Sequence, residues 1–125
     1  MRTLIALIVA LGLFAQVALA QGQVWFVSNG LEFGHFDTLQ GAVDAAGDGD
    51  LIVVRRGHYA PFTIDNKSLI VAAEFPESVW VETVLGNAIT IKNLSAARST
   101  VVSDINVFKF GADAVSGVLL IDNQG

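Results

Sequence analysis

From residue 51 onward the chain is a succession of short apolar runs separated by turn-forming residues. The runs are rich in Val and Ile, which favour strands, and Gly, Pro or Asn stands between consecutive runs. This pattern predicts eight strands, at residues 51–55, 62–65, 68–73, 79–83, 88–92, 100–103, 105–110 and 118–122. A chain limited to such short strands can fold as a β-solenoid or as a β-sandwich.

The spacing of the runs favours the solenoid. The runs that begin at Leu51, Leu69 and Ala88 follow one another at intervals of 18 and 19 residues, which suits the coil of a parallel β-solenoid. Two of them are apolar on both faces, as is typical of strands that are covered on both sides. A sandwich of hairpins is the alternative, but only Gly86-Asn87 resembles a two-residue hairpin turn. We therefore predict an all-β parallel solenoid of about three to four turns.

One segment has the periodicity of a helix instead. Apolar residues recur there at the spacing of one helix face, namely Leu39, Ala42, Val43 and Ala46. Asp37 is expected as the N-cap with Gln40 at the third helical position, and Gly47 as the C-terminal stop. Because most of these apolar residues are small, we expect the helix to lie close against a flat surface, as a lid on a sheet would.

The N-terminal segment accounts for much of the 53% hydrophobic content of the chain. Arg2 precedes an apolar stretch over residues 4–17, and small residues end at Ala20 before Gln21. This arrangement is typical of a cleavable secretory signal, with cleavage between Ala20 and Gln21. A retained membrane anchor is the alternative, although Gln16 interrupts the apolar stretch. We predict a signal peptide over residues 1–20 and a secreted, periplasmic or cell-surface domain over residues 21–125.

The charge of the mature chain excludes some partners. Seven basic and twelve acidic residues give the whole chain a net charge of −5, and removal of Arg2 with the signal makes it −6. An acidic domain is not attracted to nucleic acid or to an anionic membrane surface, so we expect neither as a partner after signal cleavage. The chain has no cysteine, which excludes disulfides and thiolate metal sites.

Residues 36–59, FDTLQGAVDAAGDGDLIVVRRGHY, resemble the N-terminal entry of right-handed parallel β-helix proteins of the pectin-lyase-like superfamily. In that family a short helix of the form f-x-T-I-Q-x-A-V-D-A-A caps the coil, and G-D-x-I-x-V-x-x-G-x-Y makes the first turn. The resemblance extends more weakly over residues 23–125 and is closest to exported bacterial β-helix repeat proteins.

The resemblance implies a capping region at about residues 23–50 and coil turns at about residues 51–125. The helix would then cover the first turn, with Ile52 and Val54 stacking inside the coil. Trp25 and Phe26 would form an extra strand or plug beside the cap. The turns end near Asp122 without a polar capping element, so we expect either truncation of a longer protein or self-association through this end.

Few residues qualify for a metal or catalytic site. Asp48 and Asp50 are weak candidates for binding Ca²⁺, and solvated turn residues are the more ordinary interpretation. His35 and His58 lack a third ligand in the sequence, so we predict no metal site from them and no other cofactor. No nucleophile motif is present, and the resemblance transfers no catalytic residue, because the family's catalytic groups lie on central turns beyond this chain.

The candidates for carbohydrate contact are Trp80, Arg55 and Arg56. Trp80 would be a platform for stacking sugars if strand alternation turned its neighbours inward, namely Val79, Val81 and Thr83. Burial of Trp80 against a neighbouring strand is the alternative. Arg55 and Arg56 could grip acidic sugars, although pairing with nearby acids is the more ordinary role of such residues.

The expected function is therefore that of an exported non-catalytic β-helix module, structural or carbohydrate-contacting, within a longer surface or secreted protein. Its expected partner is a polysaccharide or cell-surface glycan. One alternative is a fragment of a polysaccharide lyase or hydrolase whose catalytic turns are absent. The other is a surface scaffold that self-assembles through the open C-terminal edge.

Overall fold

The structure is a computed structural model that describes residues 22–30, 33–111 and 117–123. These ranges contain one helix, α1 (Leu39–Ala45). The strands are β1 (Val24–Val27), β2 (Asp50–Val54), β3 (Gly57–Tyr59), β4 (Phe62–Asp65), β5 (Leu69–Ala73), β6 (Val79–Thr83), β7 (Ile89–Lys92), β8 (Val101–Ser103), β9 (Ile105–Lys109) and β10 (Val118–Ile121). All eight predicted strands are present, with ends within one residue of the predicted ones.

The strands form three parallel sheets. Sheet A has the order β1-β2-β5-β8, sheet B the order β3-β6-β9, and sheet C the order β4-β7-β10. Consecutive strands after β1 enter sheets A, B and C in turn, so the chain winds through three stacked turns. The strand pairs that join these turns are all parallel. The predicted parallel solenoid is confirmed, and a sandwich of antiparallel hairpins is ruled out.

The turns differ in length, which corrects the predicted repeat. Asp50 lies opposite Leu69, 19 residues later, so the first predicted interval is right. The second is wrong: the run beginning near Ala88 belongs to sheet C, where Ile89 lies opposite Phe62, 27 residues earlier. The corners between strands vary in length, and a constant interval along the sequence therefore does not keep strands in one sheet. Strand β3, which the sequence pattern assigned to a turn, was missed for the same reason.

Alternate residues of each strand point into a continuous apolar core. Ile52 and Val54 are fully buried, and Ile52 lies opposite the buried Val71 of the next turn. Phe62 lies opposite Ile89 in the same way on sheet C. The predicted inward stack is confirmed.

Helix α1 closes one end of this core. Leu39, Ala42 and Val43 are buried, so the predicted lid is confirmed. The predicted N-cap is wrong by one residue: Thr38 is extended, and its hydroxyl oxygen accepts a hydrogen bond from the Gly41 N–H at 3.1 Å. A threonine hydroxyl at the cap satisfies one of the helix's unpaired N–H groups, which leaves Asp37 outside the helix.

The edges of all three sheets are covered at the helical end. Strand β1 pairs with β2 along sheet A, which confirms the extra strand predicted at Trp25. On sheet C the Gln40 side chain pairs with the backbone of Thr63, accepting its N–H at 2.8 Å and donating to its carbonyl at 3.1 Å. On sheet B the Asn29 amide donates to the carbonyl of His58. Side-chain amides thus replace the missing strands of sheets B and C.

The corner after sheet C repeats in all three turns. Asn66, Asn93 and Asp122 follow β4, β7 and β10, with φ of 49°, 57° and 48°. Asn and Asp tolerate this left-handed region better than other L-residues, which explains their place here. Asn123 then joins the second and third turns, because its amide donates to the Ile91 carbonyl at 3.0 Å.

Candidate functional site

The outward-facing side of sheet B carries the candidate site. Val79, Val81 and Thr83 are buried, so alternation along β6 turns Trp80 and Glu82 outward. Trp80 is half-buried, as expected for a large ring lying on a sheet. The condition under which the sequence made Trp80 a surface platform is therefore met.

Two rows of side chains cross this surface. His58, Trp80 and Asn106 lie opposite one another on β3, β6 and β9. Two residues further along the strands, Glu82 lies opposite Phe108. Neighbouring strands are about 4.8 Å apart, so the side chains of each row lie side by side. We call these five residues the sheet B outer face.

The polar and aromatic groups of this face are held in fixed positions. His58 Nδ1 lies 2.5 Å from Glu82 Oε1, and the Asn106 amide donates to the Val79 carbonyl at 3.1 Å. Phe108 packs edge-to-face on Phe110, with ring centroids 4.7 Å apart, and both rings remain exposed. The surface thus combines flat apolar rings with hydrogen-bonding groups between them.

The two predicted arginines lie at a corner beside this face. Arg55 and Arg56 follow β2 and precede β3. The Arg55 guanidinium lies over the ring of Phe26, 5.3 Å from its centroid, so it contacts the cap. Arg56 is exposed at the same corner, two residues before His58.

Asp50 has a structural environment in the cap. Its carboxylate accepts hydrogen bonds from the Gln23 N–H at 2.8 Å, the Trp25 indole N–H at 2.9 Å and the Gly47 N–H at 2.8 Å. Burial alone raises the pKa of the Asp50 carboxyl, but these three donors outweigh it and hold the pKa below its usual value. Asp50 joins β1, the end of α1 and β2.

Asp48 joins the three turns at one corner. Its carboxylate accepts hydrogen bonds from the Ser68 N–H at 2.8 Å and from the Arg98 guanidinium at 3.0 Å. The Ser68 N–H, followed by Arg98, lowers the pKa of this carboxyl against the effect of desolvation. Within the described ranges, no three His, Asp or Glu side chains are grouped as a metal ion would require. Binding of Ca²⁺ at Asp48 or Asp50 stays a prediction.

Sequence reasoning found Trp80 but missed its neighbours. Glu82, Asn106, Phe108 and His58 are adjacent to it only through the register of sheet B. That register depends on the three-residue strand β3, which has a glycine at its start and too few residues to show alternation. An alignment of the run at residues 79–83 with residues 105–109 could have found Asn106 and Phe108.

The predicted signal lies outside this part of the molecule. Ala20 and Gln21, the expected cleavage residues, are not among the described residues. No helix in the described part of the chain has the length and apolarity that crossing a membrane requires.

Comparison with known proteins gives no match to any protein-family model, curated protein or solved structure. The fold itself defines the class: a parallel β-solenoid of three turns, closed at one end by a short helix and an additional strand.

Proposed function

We propose that the protein is an exported, non-catalytic β-solenoid module of the pectin-lyase-like type, part of a larger surface or secreted protein, that binds carbohydrate through the sheet B outer face. One observation carries the proposal: the outward Trp80 lies in register between His58 and Asn106. A flat indole face can pack on the apolar face of a sugar ring, while adjacent polar groups accept and donate hydrogen bonds to hydroxyls.

The arrangement favours binding of an extended chain of sugars. Trp80 and Phe108 lie on neighbouring strands and in neighbouring rows, so their side chains are about 7–8 Å apart at their origins. Two rings at such a separation can contact successive parts of one polymer. The pair formed by His58 and Glu82 lies next to them and supplies polar contacts.

The surrounding charges support a role in binding without catalysis. Asp48 and Asp50 accept several hydrogen bonds from the protein and hold the cap and corner together. Their lowered pKa values keep them ionised, which does not suit a general acid near neutral pH. Arg56, exposed at the neighbouring corner, is a candidate contact for an acidic sugar.

The test is affinity electrophoresis and calorimetry with neutral and acidic polysaccharides, on protein purified after expression of the whole chain. Trp80→Ala should weaken binding about tenfold, because a stacked aromatic ring contributes on the order of 1 kcal/mol. Phe75→Ala is the matched control, since Phe75 is an exposed aromatic residue outside this face. Equal binding by the two variants, or cleavage of a polysaccharide by this chain alone, would contradict the proposal.

Export is tested separately by mass spectrometry of the N-terminus. We expect the exported protein to begin at Gln21. An intact Met1 in the membrane fraction would contradict cleavage and leave the carbohydrate experiment unaffected.

A further inference from the structure

The two ends of the solenoid are built differently. At the helical end, β1, Gln40 and Asn29 cover the edges of sheets A, C and B. At the opposite end, β8, β9 and β10 are the terminal strands of these sheets. Within the described ranges no strand pairs with their outer edges, which leaves a row of backbone donors and acceptors on each sheet.

The core is also open at this end. Ile89 and Val118 occupy the same inward position of sheet C in successive turns, yet Ile89 is 2% exposed and Val118 45%. The next inward pair, Ile91 and Leu120, is 8% and 65% exposed. The inward residues of the third turn on the other two sheets are half-buried, namely Val102, Ile105 and Val107. Apolar interior therefore faces outward across the whole end, which we call the open end.

We propose that the open end binds the open end of a second copy of this chain. The occupant of this surface must present strand edges on three sides and apolar side chains in the middle. Each inner turn of the solenoid satisfies its neighbour in this way, so the interface would continue the packing already present between the turns. The open end of another copy has the same three edges and the same apolar centre.

The helical end excludes a head-to-tail arrangement. There the Gln40 and Asn29 side chains occupy the sheet edges, and α1 covers the core. The contact is therefore isologous, related by a twofold axis, and closes as a dimer instead of growing into a filament. Strands that meet across such an axis run antiparallel, a pairing that satisfies backbone groups at least as well as the parallel one.

The proposed dimer does not depend on carbohydrate binding. The sheet B outer face lies on the side of the coil, away from the open end, and stays accessible in both copies. A dimer would present two such faces, which strengthens attachment to a repetitive polymer without a new contact.

Sedimentation velocity of the purified protein over a range of concentrations tests the interface. We expect a dimer that dissociates on dilution. Leu120→Glu should raise the dimer Kd about tenfold or more, because it places an unpaired carboxylate in the apolar centre. Leu85→Glu makes the same change at an exposed corner after β6 and should leave the Kd unchanged.

Far-UV circular dichroism verifies that both variants fold. Should Leu120→Glu fail to fold, amide hydrogen exchange of the unmodified protein gives the second readout: residues 101–109 and 118–121 should become more protected as the concentration rises. A monomer at all concentrations, a ladder of larger species, or equal effects of the two variants would overturn the proposal. A monomer that still binds polysaccharide would overturn it while leaving the proposed function intact.

Discussion

At the scale of single residues, Asp50 connects the cap to the first turn. Its carboxylate accepts three hydrogen bonds, from Gln23, Trp25 and Gly47, and none of these donors has an equivalent partner if the charge is removed. We predict that Asp50→Asn lowers the free energy of unfolding by about 1–3 kcal/mol, since an amide NH₂ faces donors where an acceptor is required. Urea unfolding followed by tryptophan fluorescence measures this.

The pH dependence of stability follows from the same carboxyl. The pKa of Asp50 is below 3.8 in the folded protein, so the unfolded chain binds the proton more tightly. Its contribution is therefore complete above the unfolded pKa and is lost as the pH falls through the folded one. Unfolding midpoints at pH 7 and about pH 3 should differ less in Asp50→Asn than in the unmodified protein. Asp37→Asn, at an exposed site, should keep the full difference; an identical difference in all three proteins would refute the assignment.

The left-handed corner at Asn93 permits a comparison of two substitutions. Both Asn93→Ala and Asn93→Gly remove the hydrogen bond from the Asn93 amide to Asp65 at 3.0 Å. Only the glycine accepts φ of 57° without strain. We expect the alanine variant to be less stable than the glycine variant by about 1 kcal/mol. Equal unfolding midpoints in urea would show that the corner carries no strain.

Residue contacts of this kind were largely beyond the sequence. Asn66 and Asn93 were identified as turn residues because Asn has a local preference for such backbone angles. The bonds from Gln40 to Thr63 and from Arg98 to Asp48 link positions 23 and 50 residues apart. No local pattern indicates them, since they depend on the length of every corner between.

At the scale of elements, Lys67 fastens the helix to the coil. Its ammonium group donates to the carbonyls of Val43 at 2.7 Å, Ala46 at 2.9 Å and Asp44 at 3.2 Å, at the C-terminal end of α1. Carbonyls at a helix end lack partners within the helix, and a cation there also opposes the helix dipole. A seven-residue helix depends on such contacts because it is too short to be stable alone.

We predict that Lys67→Met lowers the free energy of unfolding by about 2 kcal/mol, through loss of charge-assisted hydrogen bonds to partly buried carbonyls. Lys92→Met is the matched control, because the Lys92 ammonium lies 3.8 Å from Asp65 in a largely exposed pair and should contribute less than about 1 kcal/mol. Urea unfolding followed by circular dichroism compares them. Equal losses would contradict the role given to Lys67.

The elements themselves were the most predictable level. Their existence follows from β-branched runs of four or five residues and from the helical spacing of Leu39, Ala42 and Val43, both of which are local properties. Their assignment to sheets was not predictable, because the run at Ala88 is as apolar as the one at Leu69 and only corner length decides which sheet it joins. Trp80 was identified by local alternation, whereas its neighbours on sheet B required that assignment.

At the scale of the whole molecule, stability should fall from the helical end towards the open end. In a solenoid each turn contacts only its neighbours, so a turn with a neighbour on one side unfolds locally at lower cost. The first turn lies between α1 and the second turn, whereas the third turn contacts the second alone within the described ranges. The inward Leu120 of the third turn is exposed to water, while the equivalent Ile64 of the first turn is fully buried.

We predict that hydrogen exchange, followed by mass spectrometry at low protein concentration, is faster in β8, β9 and β10 than in β2 and β4. Ile64→Ala should speed exchange in all three turns, since it opens a cavity in the turn that anchors the others and costs about 2–5 kcal/mol. Leu120→Ala should affect the third turn alone, because its side chain is already solvated. Uniform exchange across the turns, or equal effects of the two substitutions, would show that the solenoid unfolds as one unit and that its open end is no weaker than its capped one.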